Sequence, residues 1–240
     1  MKVDLEAIEP IPLLFHSGYL TIDKKIQTKV FSRGKWVMAD AFTFRPPNHE
    51  VSINFNKSLF IKAYALHDIK YLNDLTKNFS TALLKKNSDE VVDLLHNLLS
   101  SLAPEHHVPS ESHYHAVLHA AFVTAGIEVL DQTSSAHGRS DMTLFLNNKV
   151  RVVFELKYCN IIKNTSKINS PVGVRRTEKE KSAEAERARK QLSAALNRGE
   201  KAIINKDYAA PYRASRKTVI ALAVAIRGRD EVAVRFIDID

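Results

Sequence analysis

Residues 138–157 read GRSDMTLFLNNKVRVVFELK, and this stretch decides the fold prediction. Two apolar runs flank the polar residues 147–149, a pattern that is typical of a β-hairpin. On the second strand Glu155 and Lys157 lie two positions apart, so their side chains share one face of the sheet. The apolar residues that alternate with them take the other face.

The length of the turn decides whether two acids meet. If the loop comprises residues 147–149, Leu146 pairs with Val150 and Asp141 falls opposite Glu155, with Cβ atoms about 4.5–5.5 Å apart. A two-residue loop would place Asp141 and Glu155 on opposite faces unless a bulge corrected the register. The sequence leaves both registers open.

Asp141, Glu155 and Lys157 are the candidate catalytic residues. Two facing carboxylates repel each other unless a positive charge lies between them. Mg²⁺ fits such a site because it commonly uses one or two carboxylates together with substrate phosphate. Lys157 would then orient the attacking water or stabilise the charge that develops on phosphorus. The alternative is an exposed polar face that carries an ordinary surface ion pair.

The segments on either side of this hairpin predict a mixed α/β domain. Ser110 is a suitable N-cap and Gly126 a suitable terminator for a helix at about residues 110–125. Further elements are expected as strands at about 127–131, 141–146 and 150–158, a charged helix at about 178–198, and strands at about 218–226 and 231–238.

The first half of the chain has a different pattern. Its first 55 or so residues predict short strands and turns, with turn signals at Arg33-Gly34 and at residues 46–49. From Ser58 to Leu102 apolar residues recur at three- and four-residue spacing, which predicts helices. Residues 103–109 contain two prolines, so we expect a domain boundary there, between segments 1–103 and 104–240.

The composition indicates a globular protein with a localised basic stretch. The chain has 240 residues, of which 45% are hydrophobic and 26% charged, and this fits one or two folded domains. The net charge is +8, and residues 163–217 hold 15 Lys and Arg against 6 Asp and Glu. Such a stretch suits the phosphates of nucleic acid, although a solvated helix face has the same composition.

Several classes of protein are disfavoured. No apolar run approaches the ~18–20 residues that span a bilayer, and the N-terminal residues carry acids rather than the apolar block of a signal peptide. The single cysteine, Cys159, excludes an internal disulfide and fits a cytoplasmic location. The sequence has no G-x-x-x-x-G-K-[ST] loop, so it does not predict an ATPase. His115 and His119, four residues apart on a helix, form an alternative metal site that would take zinc.

The acid–acid–lysine set resembles the PD-(D/E)XK nuclease superfamily, with Ser140-Asp141 in the place of Pro-Asp and Glu155-Leu156-Lys157 as (D/E)-x-K. The chain also resembles one bacterial family in which an AAA-ATPase-like region precedes a PD-(D/E)XK nuclease domain. The other stretches that carry this likeness are residues 14–22, 47–51 and 111–126, and Ile203 with residues 206–208.

The resemblance implies a restriction-endonuclease-like core, a mixed sheet flanked by helices, after a small, mostly helical accessory domain similar to the lid of an ATPase. It implies hydrolysis of phosphodiester bonds, in DNA rather than RNA, with Mg²⁺ or Mn²⁺. Asp141 and Glu155 would be the metal ligands, Lys157 the catalytic lysine and Glu111 an acid that assists the metal. Glu111 has an alternative as a helix N-terminal acid favoured by the helix dipole. The residues expected to contact nucleic acid are Arg139, Lys163, Lys167, Arg175, Arg176, Lys206 and Arg213.

The chain departs from the family pattern in two places. Ala202 stands where the family often has Gln, and the stretch 160–181 is longer and more basic. A second hypothesis is therefore a catalytically silent module that keeps the fold and binds nucleic acid or a protein partner such as an ATPase. Tyr208 and Tyr212 would stack on bases or pack against the sheet.

Overall fold

The computed structural model describes residues 10–64, 70–131, 134–135, 138–161 and 178–239. The chain divides into two compact units, Met1–Leu59 and Phe60–Asp240. The candidate site lies in the second unit.

The first unit is built on a long β-hairpin. Strands β1 (Thr21–Ser32) and β2 (Lys35–Arg45) follow helix α1 (Pro10–His16) and precede helix α2 (His49–Ala63), which continues past the end of the unit. Arg33 and Gly34 both have positive φ, 51° and 78°, as a two-residue turn requires if it is to match the twist of its strands. The predicted turn is confirmed. The prediction of short strands was wrong, because the strands have 12 and 11 residues.

The second unit contains a mixed five-stranded sheet and helices on both of its faces. Its elements after α2 are α3 (Lys70–Leu84), α4 (Ser88–Ser100), a 3-10 helix (Pro104–His106), α5 (Glu111–Thr124), β3 (Glu128–Asp131), β4 (Ser134–Ser135), β5 (Gly138–Arg139), β6 (Met142–Phe145), β7 (Val150–Cys159), α6 (Glu178–Asn205), α7 (Ala210–Ala214), β8 (Thr218–Arg227) and β9 (Glu231–Ile237). The predicted mixed α/β class is confirmed.

Strand β7 is the centre of the sheet. The strand order is β3-β6-β7-β8-β9, and β4 pairs with β5 in a separate two-stranded ladder. The pair β7–β8 is parallel and the other neighbours are antiparallel. A parallel pair needs a crossover between its strands, and α6 lies in that connection.

Alternation along β7 divides its side chains between two cores. Val152, Phe154 and Leu156 belong to the larger core, which includes residues of α3, α4 and α5. Val153 belongs to the smaller core with residues of α6. The prediction that Val152, Phe154 and Leu156 face away from Glu155 and Lys157 is therefore confirmed.

The boundary between the two compact units lies between Leu59 and Phe60, and not near residue 103 as expected. Helices α3 and α4 share the larger core with α5 and the sheet, and Phe79 of α3 stacks on Phe122 of α5 with ring centroids 4.8 Å apart. The two prolines do end the helical pattern, since only a 3-10 turn occupies Pro104–His106. The two prolines therefore mark a turn inside the second unit. The helices before and after this turn pack into one core, so they belong to one compact unit.

The N-terminus of α5 follows the sequence prediction. Ser110 is the N-cap, and its hydroxyl accepts a hydrogen bond from the His113 backbone N–H. Gly126 follows the helix with a φ of 76°.

Within the ranges given above, no helix has both the length and the apolar character needed to cross a membrane.

Candidate active site

The β6–β7 hairpin places Asp141 opposite Glu155. Met142 pairs with Phe154 and Phe145 pairs with Arg151, and the same register carried one residue further sets Asp141 across from Glu155. This is the register that a loop of residues 147–149 requires, so the three-residue alternative is confirmed.

The loop has a local cause. The Asn147 side-chain carbonyl accepts hydrogen bonds from the backbone N–H groups of Lys149 and Val150, at 2.7 and 2.9 Å. Asparagine favours turns because its side chain satisfies nearby backbone donors in this way. Asn147 thus holds the turn that sets the register of the two acids.

The two carboxylates have different surroundings. The Asp141 carboxylate is partly exposed, and its Oδ2 accepts the backbone N–H of Leu156 at 2.8 Å. Glu155 is only 3% exposed, and its Oε2 has no hydrogen-bond partner among the residues that the structure describes. Burial raises the pKa of Glu155, and the negative charge of Asp141 raises it further, while Lys157 lowers it.

Lys157 lies between three acids. Its Nζ is 3.0 Å from Glu155 Oε1, 3.4 Å from Glu111 Oε1 and 3.8 Å from Asp141 Oδ2. Burial lowers the pKa of Lys157, but the charges of the three carboxylates outweigh burial and the net shift is upward. The ammonium therefore keeps its proton at neutral pH and can act as a hydrogen-bond donor and a fixed positive charge, but not as a base.

Glu111 reaches the site from the first residue of α5. Its Oε2 accepts the backbone N–H of Tyr158 at 3.0 Å, and its Oε1 faces Lys157. Both hypotheses for this residue fit its position, because it is a helix N-terminal acid and also a neighbour of the catalytic candidates.

His115 contacts the site in a way that the sequence did not indicate. Its Nε2 lies 3.0 Å from the backbone carbonyl oxygen of Asp141, in hydrogen-bond geometry. The same ring and that of His119 lie within 3.6 and 3.5 Å of the Asp131 carboxylate. Their shared helix face had suggested zinc, but in the described ranges no three or more His, Cys, Asp or Glu side chains are grouped to hold a metal ion.

Helix α6 covers the acids closely because residue 199 is glycine. A Cβ at Gly199 would lie 3.1 Å from the Cβ of Ala223 and 3.8 Å from the Cγ atoms of Glu155 and Lys157. The sequence predicts an end of this helix at about residue 198, but the helix runs to Asn205. The glycine therefore serves close packing on the sheet and does not end the helix.

The chain after α6 brings two more residues towards the acids. Tyr208 is buried, and burial raises the pKa of its hydroxyl, to which the charge of Glu155 adds. The Lys206 ammonium lies 5.8 Å from the Tyr208 ring centroid, and the Lys206 side chain packs against Gly138. Tyr212 donates a hydrogen bond to the Thr143 hydroxyl at 3.2 Å, so it packs on the sheet.

The predicted nucleic-acid contacts are only partly described. Lys163, Lys167, Arg175 and Arg176 lie outside the described residues. Arg139 is exposed at the end of β5, and the hairpin strand β6 begins three residues later. Arg213 forms an ion pair with Asp207, which neutralises part of its charge.

Asp141 and Glu155 are candidate ligands for one hard divalent cation, but no third His, Cys, Asp or Glu in the described ranges completes a metal-binding group with them. Asp141 and Glu155 offer oxygen ligands, and the buried Glu155 Oε2 is a polar atom that needs a partner. Two carboxylates are within the number that Mg²⁺ commonly takes from a protein, the rest being water and phosphate oxygens.

No family model, no curated protein and no solved structure matches this chain.

Proposed function

We propose that the chain is a metal-dependent nuclease with a PD-(D/E)XK-type core that hydrolyses phosphodiester bonds, in DNA rather than RNA. The observation that carries the proposal is the buried Glu155 opposite Asp141, with the Lys157 ammonium within 3.8 Å of both carboxylates. An apolar residue at position 155 would cost less free energy to bury than a glutamate beside a second acid. An arrangement this unfavourable is common at catalytic sites.

Each residue has a distinct task in the proposed reaction. Asp141 and Glu155 would hold Mg²⁺ or Mn²⁺, which supplies charge neutralisation at the scissile phosphate. Lys157 is protonated, so it would donate a hydrogen bond to the attacking water or to a phosphate oxygen and stabilise the negative charge that develops there. Glu111 would hold Lys157 in place through their 3.4 Å contact.

The surroundings also support a polyanionic substrate. The Lys206 side chain packs beside Gly138, and its ammonium lies 5.8 Å from the ring centroid of Tyr208, whose pKa is also raised by the charges of Glu155 and Asp141. Helix α6 begins the described part of the basic stretch 163–217, whose net charge is +9. Cations in this position would attract the phosphates that flank the scissile bond.

The cytoplasm remains the predicted location, because the one thiol needs no oxidising compartment.

The test is a cleavage assay with labelled single- and double-stranded DNA and RNA of one sequence, in Mg²⁺ and in EDTA. Wild type is compared with Asp141→Asn, Glu155→Gln and Lys157→Met, and with Glu128→Gln as a control on the exposed edge of β3. We expect each site variant to lose about 100-fold or more in rate and the control to keep its rate. Equal rates in all five proteins would end the proposal.

A catalytically silent module is the second candidate, and the ion pairs of Lys157 favour it. The ammonium already offsets part of the negative charge of the three acids. This candidate predicts salt-dependent nucleic-acid binding that neither EDTA nor Glu155→Gln changes. Titration calorimetry with Mn²⁺ separates the two, because only the nuclease requires a site that is lost in Glu155→Gln. An ATPase-like protein partner remains a prediction from the resemblance.

A further inference from the structure

The β1–β2 hairpin of the first unit has one face that is both aromatic and cationic. Its register pairs Phe31 with Trp36 and Lys29 with Met38, so these four side chains share a face. We call this surface the hairpin face. Its members are Lys25, Gln27, Lys29, Phe31, Trp36, Met38, Asp40 and Phe42.

The end of the hairpin face carries an exposed aromatic pair. The rings of Phe31 and Trp36 lie 5.4 Å apart edge to face, and the two residues are 63% and 68% exposed. The turn at Arg33 and Gly34 follows at once, so this pair stands at the tip of the hairpin. Large apolar side chains grouped at a surface mark a contact site for another molecule.

The cations around this pair lack acidic partners. Residues 21–45 hold six Lys and Arg against two Asp, a net charge of +4. Asp40 pairs with Lys25 and Asp23 pairs with Arg45. The remaining cations form no ion pair with any residue in the described ranges; they are Lys24, Lys29, Arg33 and Lys35.

We propose that the tip of the β1–β2 hairpin binds single-stranded nucleic acid, with unpaired bases stacked on Phe31 and Trp36 and phosphates held by Lys29, on the same face, and by Arg33 in the turn. Aromatic side chains within a positively charged surface are the common means of holding single strands, because every base offers a π-face and every nucleotide a phosphate. A protein that covered the tip would have to supply acids for Lys29 and Arg33, which form no ion pair with any described residue.

This inference does not depend on the proposed nuclease. Its residues belong to the first unit, and the acids of the candidate site belong to the second. The experiment is therefore done in EDTA with the Glu155→Gln protein, so that its result stands whether or not the chain cleaves nucleic acid.

Trp36 is the only tryptophan of the chain, so intrinsic fluorescence reports directly on the tip. The probe is a 12-nucleotide oligothymidylate, and the comparison is an abasic deoxyribose-phosphate oligomer of the same length. We expect saturable quenching by the first and none by the second. Phe31→Leu should weaken binding about 10-fold, since each stacked base contributes strongly to affinity.

The charge contribution has its own control. Lys29→Gln/Arg33→Gln should weaken binding and lower the slope of log K against log salt by about 1.4, for two lost phosphate contacts on a single strand. Lys77→Gln/Lys85→Gln, which removes two exposed lysines in the second unit, should leave the quenching curve unchanged.

Two results would overturn the inference. One is no quenching, or equal quenching by the abasic oligomer. The other is a dimer in sedimentation experiments that Trp36→Leu dissociates, which would assign the hairpin face to contact between copies of the chain.

Discussion

Replacing Lys157 by methionine should destabilise the metal-free protein, and by more at pH 7 than at pH 5. The substitution keeps an unbranched apolar stem that is one atom shorter, and it removes the positive charge that lies 3.0 Å from the buried Glu155 carboxylate. Asp141 and Glu111 then lose the same neighbour. Glu155 must either stay charged without a cation or take up a proton.

Proton uptake sets the upper limit of the cost. Protonating a glutamate of ordinary pKa, about 4.3, costs about 1.4 kcal/mol for each pH unit above that value. The limit is therefore about 3–4 kcal/mol at pH 7 and about 1 kcal/mol at pH 5. The sign follows from linkage: the folded-state pKa of Glu155 lies above its unfolded value, so stability is lost as pH rises between the two.

Urea unfolding in EDTA at pH 5 and pH 7 measures this difference. Lys181→Met is the matched control, because Lys181 pairs with Glu178 on the exposed start of α6 and such pairs contribute about 0–1 kcal/mol. We expect a free-energy loss for Lys157→Met that shrinks by at least half at pH 5, and a small loss for the control at both pH values. A loss for Lys157→Met that is the same at both pH values would refute the electrostatic reasoning.

Four other variants test how the second unit is held together. Arg227 is buried, and its guanidinium forms ion pairs with the carboxylates of Glu184 and Glu231, whose side chains are partly exposed. Arg227→Met should cost about 1–2 kcal/mol in urea unfolding, and Glu184→Ala/Glu231→Ala about 3–5 kcal/mol, because the double variant leaves the buried guanidinium without a carboxylate and with only the Gln191 side-chain oxygen as acceptor in the described part of the chain; the reverse order would contradict this. Ser110→Ala should cost about 1 kcal/mol through the lost N-cap of α5, with an unchanged urea midpoint as the contrary result. Gly199→Val should cost about 1–3 kcal/mol by overpacking and lower the Tm by several degrees, whereas an unchanged Tm would show that α6 can move away from the sheet.

The elements of the second unit follow closely from local signals. The caps of α5, the turn at Asn147 and the alternation along β7 are each set by a few neighbouring residues, and all three agree with the packing. Two carboxylates facing each other also follow from sequence, because the period of a strand and the length of a loop fix which residues meet.

Long-range packing accounts for what the sequence did not predict. The charged helix was expected to end at about residue 198, but it packs closely on the sheet at Gly199 and continues to Asn205. The prolines near residue 104 looked like a domain boundary, but the aromatic stack between α3 and α5 joins both sides. The hydrogen bond of His115 to the backbone of Asp141 has no local signature at all, because it joins positions 26 residues apart.

The single thiol of the chain is placed to report motion. Cys159 ends β7, is buried, and lies 3.5 Å from the backbone oxygen of Gln191 on α6. Burial raises the pKa of this thiol, which slows its reaction with disulfide reagents while the helix is seated. Labelling kinetics of the unmodified chain would therefore time the separation of this helix from the central strand, with no engineered probe.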